Sequence, residues 1–246
     1  MGLNDSQRQR YARHLVLPAI GEAGQEKLLA GRVLVVGLGG LGSPAALYLA
    51  AAGVGTLGLM DADVVEPSNL QRQILHATPD IGRPKTESAA EKIRALNPDV
   101  RVRRYTERFA RDSAPALLRD YDFVVDATDN FASKYFIPEA CHAAGRAYSH
   151  AGIQAFVGQT LTVLPGRTAC YRCLFEGPVP PDPETPRGPL GAVPGVMGAL
   201  QAAEAVKYLL GIGELLVNRL LVYDALAATF REIPVRRNPA CPLCAA

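Results

Sequence analysis

A glycine-rich turn between two apolar runs constrains the fold of this chain more than any other feature. The first run covers residues 33–36, the second covers residues 44–52, and Gly37-Leu38-Gly39-Gly40-Leu41-Gly42 lies between them. This order predicts a buried strand, a tight turn and a helix. Glycines let backbone N–H groups approach a ligand closely, and a helix N-terminus attracts a phosphate. The turn is therefore predicted to bind a nucleotide through Gly37, Gly39, Gly40 and Gly42.

Further apolar runs alternate with helical patterns along the first part of the chain. Residues 57–60 and 123–125 predict two more buried strands, and residues 85–96 predict an amphipathic helix between them. Such alternation indicates an α/β fold with a Rossmann-like, mostly parallel sheet that is flanked by helices. A chain of 246 residues with 48% hydrophobic side chains is long enough to bury such a core.

The pattern changes in the second part of the chain, where an antiparallel C-terminal extension is predicted. Residues 155–164 predict a strand, residues 195–210 a helix and residues 220–223 a further strand. Residues 176–194 contain seven prolines and predict a long crossover loop. At the opposite end, the apolar positions of residues 5–29 predict two short helices that precede the main sheet.

The charge of the chain is nearly balanced, which limits the partners it can bind. Lys and Arg together number 26 and Asp and Glu 24, for a formal net charge of +2. Counterion release therefore cannot dominate its binding, and no direct contact with nucleic acid is expected. The most basic stretch, residues 101–108, alternates with apolar side chains and predicts the solvated face of an edge strand.

No segment of the sequence is predicted to enter or cross a membrane. Residues 1–11 are polar and charged, which is unlike a secretory leader. The most apolar run, residues 47–60, is interrupted by glycines and is shorter than the ~20 residues that cross a bilayer. We therefore expect a cytoplasmic protein without membrane contact.

Four of the five cysteines form two C-x-x-C pairs, Cys170 with Cys173 and Cys241 with Cys244. Because the cytosol keeps thiols reduced, the pairs favour a metal over disulfides. Four thiolates fill the tetrahedral coordination of Zn²⁺ and leave no position for water, which predicts a structural zinc site. The alternative interpretation is two buried or redox-active pairs.

Asp61 follows the second predicted strand, 19 residues after Gly42. A carboxylate at this position can accept hydrogen bonds from ribose hydroxyls, so the turn and Asp61 together predict nucleotide binding. The pair does not distinguish ATP from NAD, because dehydrogenases use the same turn.

Motifs along the chain resemble those of the MoeB/ThiF (HesA/MoeB/ThiF) family, which is related to the ubiquitin-activating enzymes. They occur in the order of the family from about residue 8 onwards. They are Arg10-Tyr11-Ala12-Arg13, the glycine turn, Asp61-Ala62-Asp63, Pro67-Ser68-Asn69-Leu70-Gln71-Arg72-Gln73, Gly82-Arg83-Pro84-Lys85, Asp126-Ala127-Thr128-Asp129-Asn130 and the two cysteine pairs. The resemblance implies an ATP-dependent adenylyltransferase. Its substrate would be the C-terminal glycine carboxylate of a ubiquitin-like sulfur-carrier protein, similar to MoaD or ThiS, that serves molybdopterin, thiamine or tRNA thiolation.

The resemblance also implies a role for each polar group. Asp61 and Asn69 would hold the ribose or the neighbouring phosphates, and Arg72 and Lys85 would grip the triphosphate. Asp129 would be catalytic by holding Mg²⁺, while Arg13 would reach the phosphates of the second subunit in a homodimer. The expected nucleotide-binding residues are Gly37, Gly39, Gly40, Gly42, Asp61, Asp63, Ser68, Asn69, Leu70, Gln71, Arg72, Lys85, Asp129 and Asn130, and the expected catalytic residues are Asp129, Arg72, Lys85 and Arg13.

The family would arrange residues 1–246 as a single adenylation domain. Residues 1–30 would form a helical arm, residues 31–150 the nucleotide-binding half, and residues 151–246 the carrier-binding half with the crossover loop and the zinc site. The carrier tail would end in Gly-Gly, since side chains would block a narrow channel. The sequence has no cysteine between Cys173 and Cys241, so adenylation without an enzyme–carrier thioester is expected. Sulfur would come from a separate donor, with no attached sulfurtransferase domain.

Two other functions stay open at the level of sequence. An NAD-dependent oxidoreductase would use the glycine turn and Asp61, but would leave Arg72, Lys85 and Asp129 unexplained. A non-catalytic carrier-binding protein would fit the missing loop cysteine, but not the retained phosphate-binding residues. Cys141 is expected to be buried packing, and no histidine is assigned a catalytic role, although His76 could face the site.

Overall fold

We describe a computed structural model of the chain over residues 2–181 and 188–244. Its centre is an eight-stranded sheet with the order β3-β2-β1-β4-β5-β6-β7-β8. The strands are β1 (Arg32–Val36), β2 (Thr56–Met60), β3 (Arg101–Tyr105), β4 (Phe123–Asp126), β5 (Ala147–Gln154), β6 (Val157–Val163), β7 (Arg219–Asp224) and β8 (Thr229–Pro234). The first five strands of this order are parallel, and β6, β7 and β8 extend the sheet by antiparallel pairing. The predicted α/β fold with an antiparallel C-terminal extension is confirmed.

Helices cover both faces of the sheet. They are α1 (Asp5–Arg10), α2 (Ala12–Leu15), α3 (Gly21–Ala30), α4 (Gly42–Ala52), α5 (Lys85–Leu96), α6 (Ala114–Leu118), α7 (Phe131–Ala144), α8 (Tyr171–Leu174) and α9 (Ala192–Leu210). Successive residues of β1 point to opposite faces and enter two separate cores. Val33 and Val35 pack in the core under α4, α5 and α9, whereas Leu34 and Val36 pack in the core under α6, α7 and α8.

The order of the strands reverses at β1, which lies between β2 and β4. Val36 at the end of β1 pairs with Met60 on one side and with Asp126 on the other. The loops that leave β1 and β4 therefore diverge at the carboxyl edge of the sheet. This reversal point is where open α/β sheets bind their ligands.

Three local predictions from the sequence were wrong in detail. Residues 5–29 form three helices instead of two, because Tyr11 separates α1 from α2. The predicted crossover loop, residues 176–194, ends earlier, because α9 begins at Ala192 and accommodates Pro194 in its first turn. The strand predicted from residue 155 begins at Val157, after a turn. Residues 182–187 of the predicted loop lie outside the described residues.

The described helices were also compared with the length and apolar character that a bilayer requires. Within residues 2–181 and 188–244, no helix meets both conditions for a membrane span.

Candidate active site

The glycine turn leaves β1 at the point where the strand order reverses. Gly37 has a φ angle of 92°, and a Cβ there would lie 2.7 Å from the carbonyl oxygen of Ala127, at the end of β4. A Cβ on Gly42 would overlap the carbonyl oxygen of Gly37. Both glycines are therefore required by the backbone itself. No side chain of the described residues caps α4, which begins at Gly42. In its first turn the N–H of Ser43 donates to the carbonyl oxygen of Gly39 and Pro44 has no N–H, which leaves the N–H of Gly42 to bind an anion.

Asp61 connects the glycine turn to the end of β2. Its Oδ2 accepts a hydrogen bond of 2.8 Å from the backbone N–H of Leu38, and its Oδ1 accepts one of 2.9 Å from the N–H of Asp63. The Nζ of Lys85 lies 3.1 Å from Oδ2 of Asp63 and 4.0 Å from Oδ2 of Asp61. Since the side chain of Lys85 is only 7% exposed, its charge acts with little screening by water.

A polar cavity of about 410 Å³ lies beside this ion pair, lined by Asp63, Asn69 and Lys85 among others. Asn69 is 8% exposed, and its Oδ1 accepts a hydrogen bond of 3.2 Å from the N–H of Glu66. The cavity thus joins two segments that are separate in the sequence and that both carry predicted nucleotide-binding residues.

The segment after Asn69 returns to the glycine turn. Arg72 donates a hydrogen bond of 3.0 Å from its guanidinium to the carbonyl oxygen of Ser68, which holds the end of its side chain. Its Cγ lies 3.4 Å from the position that a Cβ on Gly40 would occupy. Ser68 and Gln71 are exposed, and Leu70 is half-buried. Arg72 is therefore the predicted residue of this segment that contacts the turn.

The turn after β4 holds the acidic residue that was predicted to be catalytic. Asp129 is exposed, whereas Asp126 at the end of β4 is fully buried. Asn130 caps α7, because its Oδ1 accepts a hydrogen bond of 2.9 Å from the N–H of Ser133. The predicted site residues from the glycine turn, residues 61–85 and residues 126–130 thus meet at one edge of the sheet.

His76 lies under the glycine turn, a position that the sequence suggested only through its spacing from Arg72. Its Nε2 lies 3.1 Å from the carbonyl oxygen of Leu38, and its Nδ1 lies 2.9 Å from Oγ of Ser88. Burial lowers the pKa of His76, so the ring is neutral at pH 7. Because a carbonyl oxygen only accepts, Nε2 carries the proton and Nδ1 accepts from Ser88. His76 therefore supports the turn and is not a proton donor to a substrate.

The structure also contains a buried cluster of charged and polar side chains that the sequence did not predict. Asp126, Lys134 and His150 come from β4, α7 and β5, and all three are at most 8% exposed. Oδ2 of Asp126 lies 3.0 Å from Nδ1 of His150 and 4.0 Å from Nζ of Lys134. Asp126 and His150 are paired in register on adjacent strands, which no local sequence pattern reveals.

The four predicted zinc ligands meet at one point. Distances from Sγ of Cys170 are 3.8 Å to Cys173, 3.5 Å to Cys241 and 3.8 Å to Cys244, and Sγ of Cys173 lies 3.2 Å from that of Cys244. A tetrahedral site with Zn–S bonds of about 2.3 Å places its sulfurs about 3.8 Å apart. The cluster is therefore compatible with zinc, and all four side chains are buried.

Arg13 lies away from the glycine turn of its own chain. Its neighbour His14 lines an apolar concavity with Ala51 and Ala52, at the C-terminal end of α4. The glycine turn is at the N-terminal end of this helix, whose 11 residues span about 16 Å. That separation exceeds the reach of an arginine side chain, so the structure does not bring Arg13 together with the other predicted site residues of the chain.

Comparisons with known proteins agree with this architecture. Residues 11–243 match the ThiF family. The chain is 48% identical over 248 residues to the SAMP-activating enzyme E1 of Haloferax volcanii, which covers 99% of this chain and 91% of that protein. It is 47% identical over 243 residues to the sulfur carrier protein adenylyltransferase of Thermus thermophilus, with coverage of 96% and 90%. Other relatives are longer, and the chain spans 52% to 61% of their length.

The fold is also found among solved structures. The crystal structure of E. coli MccB with ATP matches 96% of this chain and 75% of its own, with a TM-score of 0.84 and 24% sequence identity. At this level of identity the likeness concerns the fold alone.

Proposed function

The chain belongs to the ThiF family, and we propose on this premise that it adenylylates the C-terminal glycine carboxylate of a ubiquitin-like sulfur-carrier protein. ATP is the second substrate and pyrophosphate the product. Relatives of nearly the same length are named sulfur carrier protein adenylyltransferase and SAMP-activating enzyme E1, which supports this reaction. The observation that supports the proposal is the placement of three segments around the glycine turn. Arg72 lies beside Gly40, Lys85 lies 4.0 Å from Asp61, which binds the turn, and Ala127, two residues before Asp129, lies against Gly37.

The reaction requires neutralisation of charge on the phosphates more than it requires proton transfer. A C-terminal carboxylate has a pKa of about 3.5 and is already ionised at pH 7, so no general base is needed. Its oxygen forms a bond to the α-phosphorus, and the bond from that phosphorus to the bridging oxygen of the β-phosphate breaks. Pyrophosphate leaves with the electron pair of the broken bond. Lys85, Arg72 and backbone N–H groups of the glycine turn would stabilise the charge that develops on the phosphates.

Asp129 would hold Mg²⁺ on the phosphates. Its carboxylate is exposed at the carboxyl edge of β4, beside the glycine turn, and oxygen ligands of this kind suit the ion. When bound, Mg²⁺ would neutralise charge on the triphosphate. Asp61, next to the turn, would accept hydrogen bonds from the ribose, and Asn69 and Asp63 would line the same cavity.

An exposed apolar surface beside the site supports a protein as the second substrate. Phe156, Leu190, Leu226 and Phe230 are each at least 41% exposed. The N–H of Leu190 donates to the carbonyl of Ala155, which draws the segment before α9 to the β5–β6 turn. The surface lies at the same sheet edge as the end of β4, one to four strand spacings of about 4.8 Å away. An extended tail of about six residues spans the largest of these distances, and Gly-Gly would fit a narrow passage.

Sulfur transfer would follow on a separate donor. No cysteine lies between Cys173 and Cys241 in the sequence, so the crossover segment offers no thiol for a thioester. Cys141 is fully buried, and burial raises the pKa of its thiol well above the ordinary value, which makes it a poor nucleophile. The carrier adenylate would therefore leave the enzyme without a covalent enzyme–carrier intermediate.

The four cysteines would bind a structural zinc ion, and the chain would act as a homodimer. Zinc would join the C-terminal segment to α8 and complete the carrier-binding half, residues 151–246, beside the nucleotide-binding half, residues 31–150. The reduced thiolates that this ion needs suit the cytoplasm. The arm, residues 1–30, carries Arg13 at the far end of α4 from its own glycine turn, so Arg13 would serve the partner's triphosphate.

Carrier-dependent exchange of labelled pyrophosphate into ATP tests the function. We expect exchange with a carrier ending in Gly-Gly, and none with the same carrier truncated by two residues. A non-catalytic carrier-binding protein would bind the intact carrier without exchange. An NAD-dependent oxidoreductase would bind NAD in calorimetry and ignore MgATP. Either of these results would contradict the proposal.

A further inference from the structure

Asp126, Lys134 and His150 form a buried polar cluster directly under the turn that carries Asp129. Besides its contact with Asp126, the ammonium group of Lys134 donates a hydrogen bond of 2.6 Å to the carbonyl oxygen of Ala151 on β5. Its side chain is 10% exposed, and those of His150 and Asp126 are 1% and 0% exposed. The cluster therefore links β4, β5 and α7 in a largely buried place.

The cluster brings the carboxylate of Asp126 together with the amino group of Lys134 and the ring of His150. Burial lowers the pKa of Lys134, and the charges of Asp126 and Asp129 oppose that shift. Burial alone would raise the pKa of Asp126, but the field of Lys134 and hydrogen bonds from His150 and Thr128 lower it to about 2. Burial, together with the Lys134 charge, lowers the pKa of His150 to about 4, so its ring is neutral. Because a carboxylate only accepts, Nδ1 of His150 carries the proton and donates to Asp126.

The carboxylate of Asp126 organises the turn next to Asp129. Its Oδ1 accepts a hydrogen bond of 2.6 Å from the hydroxyl of Thr128 and one of 3.2 Å from the N–H of Thr128. On the other side, Asn130 is fixed as the cap of α7. Asp129 thus lies between two residues whose positions are set by hydrogen bonds, while its own side chain is exposed.

We propose that Asp126, Lys134 and His150 are positioning residues that fix the carboxylate of Asp129 for the adenylylation reaction. This inference rests on the proposed function, in which Asp129 holds the metal on the triphosphate. No hydrogen bond or ion pair of the described residues joins the cluster to the cavity residues Asp63, Asn69 and Lys85, so its effect on the reaction runs through the turn that carries Asp129. Loss of the cluster should therefore affect turnover more than nucleotide affinity.

The test compares Lys134→Met with Lys134→Arg and Lys27→Met in the full-length protein. Lys27 is the matched control, because it also donates to a backbone carbonyl, that of Leu210, but at the end of α9. We expect Lys134→Met to lower kcat for pyrophosphate exchange about 30-fold or more, with KM for MgATP changed less than about 3-fold. Lys134→Arg should restore much of the rate, and Lys27→Met should match the unmodified protein.

Lys134→Met leaves the Asp126 carboxylate with one fewer partner and could fail to fold, so His150→Phe provides a second variant. It keeps an aromatic ring in the edge-to-face contact with Tyr171, whose ring centroid is 4.6 Å away, and removes the hydrogen bond to Asp126. An unchanged kcat in a folded Lys134→Met or His150→Phe protein would overturn the inference. So would an equal loss of rate in Lys27→Met.

Hydrogen exchange separates failure of this inference from failure of the proposed function. If the cluster fixes the turn, backbone amides of residues 126–131 should exchange about 10-fold faster in both variants, whether or not a carrier is known. Exchange of labelled pyrophosphate that fails even in the unmodified protein would refute the function. Unchanged amide protection in a folded variant would refute the positioning role by itself.

Discussion

Asp129 is the exposed acidic side chain at the junction of β4 and α7, and its role can be tested by removing its charge alone. Asp129→Asn keeps the size of the side chain but weakens binding of Mg²⁺. We expect carrier-dependent pyrophosphate exchange to fall by about 10² to 10³. The melting temperature should change by less than about 2 °C, because the side chain is exposed and packs little.

Asp112→Asn is the matched control for this substitution. Asp112 is also an exposed aspartate in a connecting segment, but it lies in none of the predicted motifs. The rate of pyrophosphate exchange of the Asp112→Asn protein should equal that of the unmodified protein. Full activity of Asp129→Asn, measured beside this control, would exclude Asp129 from the reaction.

His150 should make the stability of the protein depend on pH. Its folded pKa of about 4 lies below the ordinary value of 6.5, so the unfolded chain takes up a proton first as the pH falls. The stabilisation is therefore complete above about pH 6.5 and is lost as the pH falls towards 4. Between pH 7 and pH 5, urea unfolding should show a loss of about 2 kcal/mol from this group.

His150→Asn provides the comparison, since an amide can still donate to Asp126 but does not titrate in this range. The other titratable groups that face His150 are Asp126, Lys134 and Tyr171, and they are present in both proteins. Their contributions cancel when the two pH profiles are subtracted. Identical profiles for the two proteins would mean that His150 is not buried in its neutral form.

The residues of the site differ in how far the sequence reveals them. Arg72, Lys85 and Asp129 belong to contiguous motifs whose order resembles a family, so they could be named without a structure. Lys134 and His150 could not, because their partner Asp126 is near them only through strand pairing and helix packing. A buried lysine also gives no sequence signal that separates it from an exposed one.

At the level of elements, two glycines of the strand–turn–helix unit are expected to differ in how they tolerate substitution by alanine. A Cβ on Gly42 would overlap the carbonyl oxygen of Gly37, which is backbone and cannot move freely. A Cβ on Gly39 would meet Nε2 of Gln73 at 3.6 Å, an ordinary contact. Gly42→Ala should therefore lower the free energy of unfolding by about 2 kcal/mol or more, and Gly39→Ala by less than about 0.5 kcal/mol.

Chemical denaturation of both variants measures this difference in stability. Calorimetry with MgATP measures a second difference, in the affinity for ATP. The Gly39 methyl group would add bulk to the turn that is proposed to bind phosphates, so ATP affinity should fall about 10-fold although the fold is unchanged. Equal stability of Gly42→Ala and the unmodified protein would show that the turn has a different backbone conformation.

The sequence predicts a strand or helix well where all residues of that element share the same environment. β1, β2 and β4 are buried on both faces, so each is a plain apolar run. β8 was not predicted because all six of its residues are exposed, and its side chains show no core-facing pattern. The start of α9 was missed because prolines usually indicate a loop, yet Pro194 lies in the first helical turn, where no N–H is required.

For the whole molecule, the four-cysteine cluster joins segments that are far apart in the chain. α8 begins after Cys170 and presents Tyr171 to His150, so a metal at the cluster would also support the packing beneath β5. Freshly purified protein should contain about one equivalent of zinc. Its removal by a chelator should cost at least about 3 kcal/mol of stability.

Hydrogen exchange after chelation should increase first in α8 and in the C-terminal segment that holds Cys241, and then in β5. Cys141→Ala is the control, because it removes the cysteine that lies outside the cluster and should leave the zinc content unchanged. Protein that contains less than about half an equivalent of zinc, with unaltered stability in chelator, would contradict a structural metal.

The position of Arg13 leads to a prediction about the complete assembly. In one chain, α2 packs at the C-terminal end of α4, whereas the triphosphate is proposed to bind at its N-terminal end. Arg13 can therefore complete a site only in a second subunit, and the exposed Tyr48 and Val16 near it offer apolar surface for that contact. Arg13→Ala and Asp129→Asn homodimers should both be inactive, since every site in each lacks one essential group.

Mixed dimers of these two variants should regain activity. One of the two sites in a heterodimer combines the intact Asp129 of the first chain with the intact Arg13 of the second, and the other site lacks both. Random mixing makes half of the dimers heterodimers, so about one quarter of the unmodified exchange activity should return. If Arg13 instead served its own chain, no site would be complete, and mixing confirmed by two affinity tags would restore nothing.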